Sequence, residues 1–371
     1  MKSLFVLIKP SSSLCNATCS YCFYEDISKH RKEKHQGFLQ MDCVQSIIEK
    51  TLSHKKYTQV VFCFQGGEPL LIGYDFYEQF IYSVERKKAD VQVSYSIQTN
   101  GFLLDDAFCK LFKQHDFLVG ISLDGIQKTN DMTRFLNVEK CGSFTVVMGK
   151  IALLKSYEIP FNILSVLSAS LYKCAKQIYN FYKKEQFAFI QFIPCLPNLG
   201  VSENEGSCLP NMYGTFYREL FSFWFEDLKK GNYMSIRLFD DIMLIFRGQK
   251  PSQCGMLGNC EVQCVMEADG SLYPCDFYVL DEYKLGNIKK DVIDNVIVSD
   301  VAKSFIDEKT TLADICMKCK FEKICGGGCK RQRDTFLSNE YCGKQEIYTL
   351  IYDRYREIEE ALYKIERTMY K

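Results

Sequence analysis

Cys15, Cys19 and Cys22, spaced C-x3-C-x2-C, stand shortly after an apolar run at residues 4–8. The run reads as the first buried strand of an α/β domain, which puts the three thiols on a loop at a strand end. Zinc and four-iron clusters normally take four protein ligands. A loop with three thiolates therefore either borrows a remote ligand, as a zinc knuckle would, or leaves a metal position open to substrate or cofactor.

The 371-residue chain is 47% hydrophobic and 25% charged, an ordinary globular composition with length for roughly two domains. Lys plus Arg and Asp plus Glu both number 46, so no net field draws the chain to nucleic acid or an anionic membrane. The first apolar run is too short for an export signal and nothing later reaches a membrane span, so a cytoplasmic location is expected. Nineteen cysteines in such a chain point to metal or cluster ligation rather than disulfides. His30, His35, His54 and His115 lie apart from the cysteine clusters and glycine motifs, which leaves a carboxylate as the better candidate for proton transfer.

Apolar runs at residues 4–8, 60–64, 91–97, 118–123, 161–167 and 189–194 read as strands. Amphipathic stretches at 43–52, 74–88, 105–113, 144–157 and 175–185 read as the helices between them. These βα units predict a parallel sheet, open or curved into a partial barrel, with functional groups at the C-terminal strand ends. Gln65-Gly66-Gly67-Glu68-Pro69, Gln98-Thr99-Asn100-Gly101 and Ser122-Leu123-Asp124-Gly125 fall on that rim. Each alone is an ordinary turn; three of them beside the cysteine loop suggest a site. Residues 196–211 have the composition of a junction or lid, and 213–230 that of an aromatic helix whose Trp224 fits core packing. Beyond these come Cys254, Cys260, Cys264 and Cys275, with a hairpin signal at Asp269-Gly270, then Cys316-x2-Cys319-x5-Cys325-x3-Cys329 and Cys342. Residues 346–370 read as one closing helix.

The Cys15 loop, with Tyr21 and Phe23 flanking Cys22, resembles the cluster loop of the radical S-adenosylmethionine superfamily, and Gly66-Gly67-Glu68 resembles its motif for the cofactor's methionine amino group. The resemblance covers residues 1 to about 195 and implies an α/β fold with a partial (β/α)6 barrel. It implies a [4Fe-4S] cluster on Cys15, Cys19 and Cys22, with S-adenosylmethionine on the remaining iron and a 5′-deoxyadenosyl radical from its reductive cleavage. Glu68 would take the cofactor ammonium as a charge-assisted hydrogen bond. Ser122 and Arg134 would meet its ribose or carboxylate, with Tyr21, Gly66, Gly67 and Leu196 completing the cofactor set. Taken alone, Arg134 also reads as a surface arginine.

The later cysteines, with Gly270, resemble the SPASM pattern that carries two auxiliary [4Fe-4S] clusters. Analogy assigns Cys254, Cys260, Cys275 and Cys329 to one and Cys316, Cys319, Cys325 and Cys342 to the other, three clusters in all. The spacing from Cys316 to Cys329 alone would also suit zinc. The remaining eight cysteines, among them Cys63, Cys195 and Cys264, read as small buried hydrophobes. The implied domains are 1–235, the barrel with its connecting loop and helix, and 236–371, the auxiliary-cluster domain with a C-terminal helix.

The run from Tyr273 through Cys275, Asp276 and Phe277 to Leu280, with Cys22-Phe23-Tyr24, Phe64 to Pro69 and Ser235-Ile236-Arg237, resembles anaerobic sulfatase-maturating enzymes along nearly the whole chain. It implies oxidation of a Cys or Ser in a sulfatase polypeptide to Cα-formylglycine, with Asp276 as general base. It also implies an external one-electron donor such as a flavodoxin or ferredoxin, and no nucleic-acid or membrane partner. A SPASM enzyme forming thioether or carbon–carbon crosslinks is the alternative within enzymes. A non-catalytic zinc or iron–sulfur relay is the alternative outside them. Residues 201–207 align with nothing in the pattern, and no peptide-binding residue is marked.

Overall fold

The computed structural model describes residues 3–52, 56–136, 141–308 and 312–369, with side chains to residue 367. His54 and the expected helix end at Tyr370 lie outside the described residues. In chain order the strands are β1 (Ser3–Ile8), β2 (Ala17–Cys19), β3 (Gln59–Phe64), β4 (Gln92–Thr99), β5 (Leu118–Ser122) and β6 (Arg134–Leu136). They continue with β7 (Phe161–Leu167), β8 (Phe189–Pro194), β9 (Ser235–Ile236), β10 (Val265–Met266), β11 (Ser271–Tyr273) and β12 (Gly286–Asn287). Helices Met41–Leu52, Tyr74–Glu85, Asp106–Gln114, Phe144–Ser156 and Ala175–Lys184 occupy the intervals that the apolar spacing predicts. The chain packs as two units, 1–122 with 134–161 and 261–308, and 123–133 with 162–260 and 309–371.

In the first unit the strand order is β12-β11-β10-β1-β3-β4-β5. β10, β1, β3, β4 and β5 run parallel, and β11 and β12 fold back antiparallel. Successive side chains of a strand face opposite ways, and β3 alternates accordingly, with Val60, Phe62 and Phe64 fully buried. Phe64 meets Phe76, Tyr77 and Phe80 edge-on and stacks with Phe117. Asp105 caps the helix Asp106–Gln114, accepting from the Phe108 N–H at 2.9 Å. The expected hairpin forms with Gly270 at φ +83°, and its first strand, β10, pairs parallel with β1, Leu7 opposite Val265 and Ile8 opposite Met266.

In the second unit β7, β8 and β9 run parallel. The helix Pro210–Lys229 opens on a proline, whose missing N–H is no loss at a first turn. Trp224 is core, as its spacing predicts: its Nε1 donates to the Met234 carbonyl at 2.9 Å and its ring lies 5.1 Å from that of Phe239. The single closing helix is a misreading. The chain forms Gly343–Asp353 and Tyr355–Met369 with a break at Arg354 (φ −108°, ψ 8°). Tyr348, Tyr352 and Tyr355 all pack on Phe246 across that break, so ring packing there overrides a continuous helical period. No helix among the described residues is long and apolar enough to cross a membrane.

Phe64→Ala removes the ring at the centre of the aromatic cluster. Chemical denaturation under anaerobic conditions is expected to show a loss of about 3–5 kcal/mol.

Candidate functional site

The three-cysteine loop is held between strands. β2 pairs antiparallel with β6, setting Cys19 opposite Arg134. Each sulfur has a nitrogen donor near it. Cys15 Sγ accepts from the Ala17 N–H at 3.4 Å, with Asn100 Nδ2 at 3.8 Å. Cys19 Sγ has Arg134 Nη1 at 3.7 Å, and Cys22 Sγ caps the helix Phe23–Lys29 by accepting from the Glu25 N–H at 3.4 Å. Arg134 is 7% exposed, not a surface side chain, and its guanidinium lies 5.5 Å from the centre of the Tyr21 ring. Hydrogen bonds to sulfur favour electron-rich, thiolate-bound iron, so this donor set fits a cluster.

The Gly66-Gly67-Glu68 turn braces the loop from below. The Gly67 N–H donates to the Ser12 carbonyl and the Glu68 N–H to the Leu14 carbonyl, both at 2.8 Å. A Cβ on Gly67 would stand 2.0 Å from the Leu14 carbonyl oxygen, a backbone approach that only glycine permits. Glu68 is buried and accepts from the Leu70 N–H at 3.0 Å, the Thr99 hydroxyl at 2.7 Å and the Asn100 N–H at 2.8 Å. The carboxylate thereby joins two of the three turns that the sequence marks. Burial pushes its carboxyl up to about 7, against the pull of those donors. Ser122, at the end of β5, accepts from Gln98 Nε2 at 3.2 Å.

Asp276 is buried in the same unit. Lys9 Nζ donates to its Oδ1 and Gln65 Nε2 to its Oδ2, the latter at 2.8 Å. Lys9 follows β1 and Gln65 follows β3, so the carboxylate meets both strand ends. Lys9 Nζ also lies 3.7 Å from the centre of the Tyr24 ring. The Tyr24 hydroxyl donates to Glu267, which is paired with the buried Arg31. Burial and the neighbouring Glu267 charge push the Tyr24 hydroxyl well above its ordinary range. Sequence reading gives no role to Lys9, Tyr24, Arg31 or Glu267, although Tyr24 falls within a motif of the resemblance. The two available signals are a lysine ending an apolar strand and a glutamate inside the apolar hairpin Val265 to Leu272.

In the second unit Cys316, Cys319, Cys325 and Cys342 line one cavity, together with Phe321, Phe336 and Tyr348. Four thiols around such a space fit a fully ligated cluster. Cys254, Cys260 and Cys329 belong to this unit and Cys275 to the first. The segment after Cys254 is pressed on the Cys325 to Cys329 turn: a Cβ on Gly255 would lie 2.8 Å from that of Cys329, and one on Gly258 2.2 Å from the Gly326 carbonyl oxygen. Leu196 is buried in the second unit. Of the remaining cysteines, Cys43, Cys109, Cys195, Cys208 and Cys264 are buried, as expected, and Cys63 and Cys174 are half-buried. Cys141 is exposed and is not a core residue.

Residues 10–168 match the Radical SAM superfamily model, and residues 254–320 match SPASM, an iron-sulfur cluster-binding domain. The chain is 42% identical over 342 residues to the cysteine-type anaerobic sulfatase-maturating enzyme of Clostridium novyi (strain NT), covering 91% of each. The chain belongs to the anaerobic sulfatase-maturating enzyme family. It is 30% identical over 351 residues to the serine-type anaerobic sulfatase-maturating enzyme of Bacteroides thetaiotaomicron, covering 90% of this chain and 84% of that one. Among solved structures, native anSMEcpe with bound AdoMet and Cp18Cys peptide matches with a TM-score of 0.88 and 33% identity, over 97% of this chain and 99% of that one. The family membership makes the chain a radical S-adenosylmethionine enzyme of the α/β fold class that its sequence resembles.

Gly67→Ala is expected to lose the iron and sulfide of one cluster and the formation of 5′-deoxyadenosine, read by elemental analysis and chromatography after anaerobic reconstitution. Glu68 bears on pH dependence. Its folded carboxyl sits at about 7 against an ordinary 4.5, so the folded state binds more protons between those values and stability falls as pH rises through them. Glu68→Gln is expected to flatten that slope in denaturation midpoints measured across the interval.

Proposed function

We propose that this enzyme oxidises a cysteine side chain of a sulfatase polypeptide to Cα-formylglycine. The observation that carries the reading is Asp276, a buried carboxylate next to Cys275 with Lys9 on one oxygen and Gln65 on the other. It meets the ends of β1 and β3, the two strands after which the Cys15 loop and the Gly66-Gly67-Glu68 turn follow. Cysteine as the target is supported by 42% identity to a cysteine-type relative, against 30% to a serine-type one.

In this reading Cys15, Cys19 and Cys22 hold a [4Fe-4S] cluster, and Tyr21, Gly66, Gly67, Glu68, Ser122, Arg134 and Leu196 surround S-adenosylmethionine. Cys254, Cys260, Cys275 and Cys329 hold a second cluster and Cys316, Cys319, Cys325 and Cys342 a third. Bound there, these groups supply a 5′-deoxyadenosyl radical to remove hydrogen from the target Cβ and a path for the second electron. The chain's own residues do the rest. Three protein donors occupy Glu68, and a carboxylate has about four acceptor positions, which leaves one for the cofactor ammonium. Arg134 offers the cofactor carboxylate a planar, charged donor. Asp276 takes the proton of the substrate thiol, and the thioaldehyde left by loss of the Cβ hydrogen, that proton and the second electron is hydrolysed, water supplying the aldehyde oxygen and the sulfur leaving as hydrogen sulfide. Lys9 and Gln65 each fill one acceptor position on it and fix its plane, with lone pairs left for the thiol. An external one-electron donor such as a flavodoxin or ferredoxin supplies the reducing electron.

Anaerobic incubation with paired Cys- and Ser-containing sulfatase peptides, read by mass spectrometry, tests the proposal. Conversion of the cysteine peptide to aldehyde with 5′-deoxyadenosine is expected; a crosslinked product, or no aldehyde from either peptide, would sink it. Asp276→Asn is expected to cleave the cofactor yet form little aldehyde, and unimpaired aldehyde would remove Asp276 as the base.

A further inference from the structure

Two buried cations have carboxylate partners, Lys9 with Asp276 and Arg31 with Glu267. Lys344 does not. It is 4% exposed, and among the described residues its Nζ has neither an ion-pair partner nor a hydrogen-bond acceptor. Its contacts are aromatic, 5.2 Å to the centre of the Phe336 ring and 5.9 Å to that of Tyr348. A Cβ on Gly328 would lie 3.0 Å from Nζ, so the ammonium reaches the backbone just before Cys329. Tyr348 is 1% exposed, and its hydroxyl is buried with no hydrogen-bond partner.

Phe336 and Tyr348 both line the cavity of Cys316, Cys319, Cys325 and Cys342. Burying a cation without an anion, or a hydroxyl without an acceptor, is strongly unfavourable. The other charged groups at this place do not relieve it. Arg333 is engaged with the Gly327 and Gly328 carbonyls at 3.0 and 3.3 Å, and the half-buried Glu322 lines the cavity without pairing to Lys344. A cluster on four thiolates answers both demands. It is net negative, more so when reduced, and its sulfurs accept hydrogen bonds.

We propose that Lys344 and Tyr348 are positioning residues that raise the reduction potential of the cluster held by Cys316, Cys319, Cys325 and Cys342, Lys344 as its buried counter-charge and Tyr348 as a donor to its sulfur. The inference rests on reading those four cysteines as cluster ligands. A positive charge held in a low-dielectric wall favours the more negative, reduced state. A phenol directed at sulfur does the same. The pair makes this cluster easier to charge and so favours it as a resting place for an electron leaving the substrate.

The test is a redox titration followed by electron paramagnetic resonance on the full-length, anaerobically reconstituted enzyme. The signal of this cluster is identified by its loss in the Cys316→Ala/Cys319→Ala double variant. Lys344→Met is expected to shift the oxidised-to-reduced ratio at fixed potential at least tenfold toward oxidised, about 59 mV for one electron. Lys344→Arg is expected to restore most of that shift, and Tyr348→Phe to move the ratio the same way by less. Iron and sulfide should equal those of the parent enzyme. An unshifted or raised potential in Lys344→Met with full iron content overturns the inference, as does an equal shift in Lys344→Arg. Where the methionine variant does not assemble its cluster, Lys344→Gln and Tyr348→Phe are read by the same criteria. Unchanged iron and signal in the double cysteine variant would instead overturn the ligand assignment, and the inference with it.

Discussion

Lys9 and Asp276 lie out of water with one another as charged partner. Removing either alone leaves the other uncompensated in low dielectric, which is far more unfavourable than losing the pair together. The constraint reaches outward. Lys9 also faces the Tyr24 ring, and Tyr24 reaches Glu267, which Arg31 neutralises. Two buried carboxylates and two buried cations thus gather around one aromatic ring, in a unit whose β1 and β10 pair in register. The position of Asp276 is fixed by electrostatics and by strand pairing at once.

The cysteine loop depends on a different kind of restraint. Its path is set by backbone contact at Gly67, and its sulfurs are approached by donors from four separate elements: the loop itself, the helix Phe23–Lys29, the Asn100 turn and β6. Glu68 links the first two of the marked turns through donors on each of its oxygens. An arrangement of this kind leaves little freedom for the thiols to move when the charge on a bound group changes, which keeps reorganisation small.

The elements of the fold were readable because their signals are local. Alternation in β3 and the capping carboxylate of Asp105 need no knowledge of the rest of the chain. The Cys15 loop, the glycine turn and Asp276 were readable through resemblance, since each motif is short and keeps its spacing. What escaped was long-range. Nothing in Leu7 or Val265 says that they face each other, and so nothing in Lys9 announced a carboxylate far along the chain. The break at Arg354 escaped because three tyrosines gather on Phe246, a contact made by another helix. Cys141 was misplaced because cysteine is usually buried and its exposure is a property of the surrounding chain.

The pairing of β10 with β1 bears on how such a chain can be divided. Residues 261–308 pack with the N-terminal strands although residues 162–260 belong to the other unit. A fragment ending before residue 261 would lack β10 and leave β1 with an open edge, a template for pairing with another chain. It would also leave Lys9 without its carboxylate. Exchanging the cysteine-rich region between relatives is therefore an operation on the sheet from which the Cys15 loop leaves, and a compatible junction must bring its own partner for Lys9.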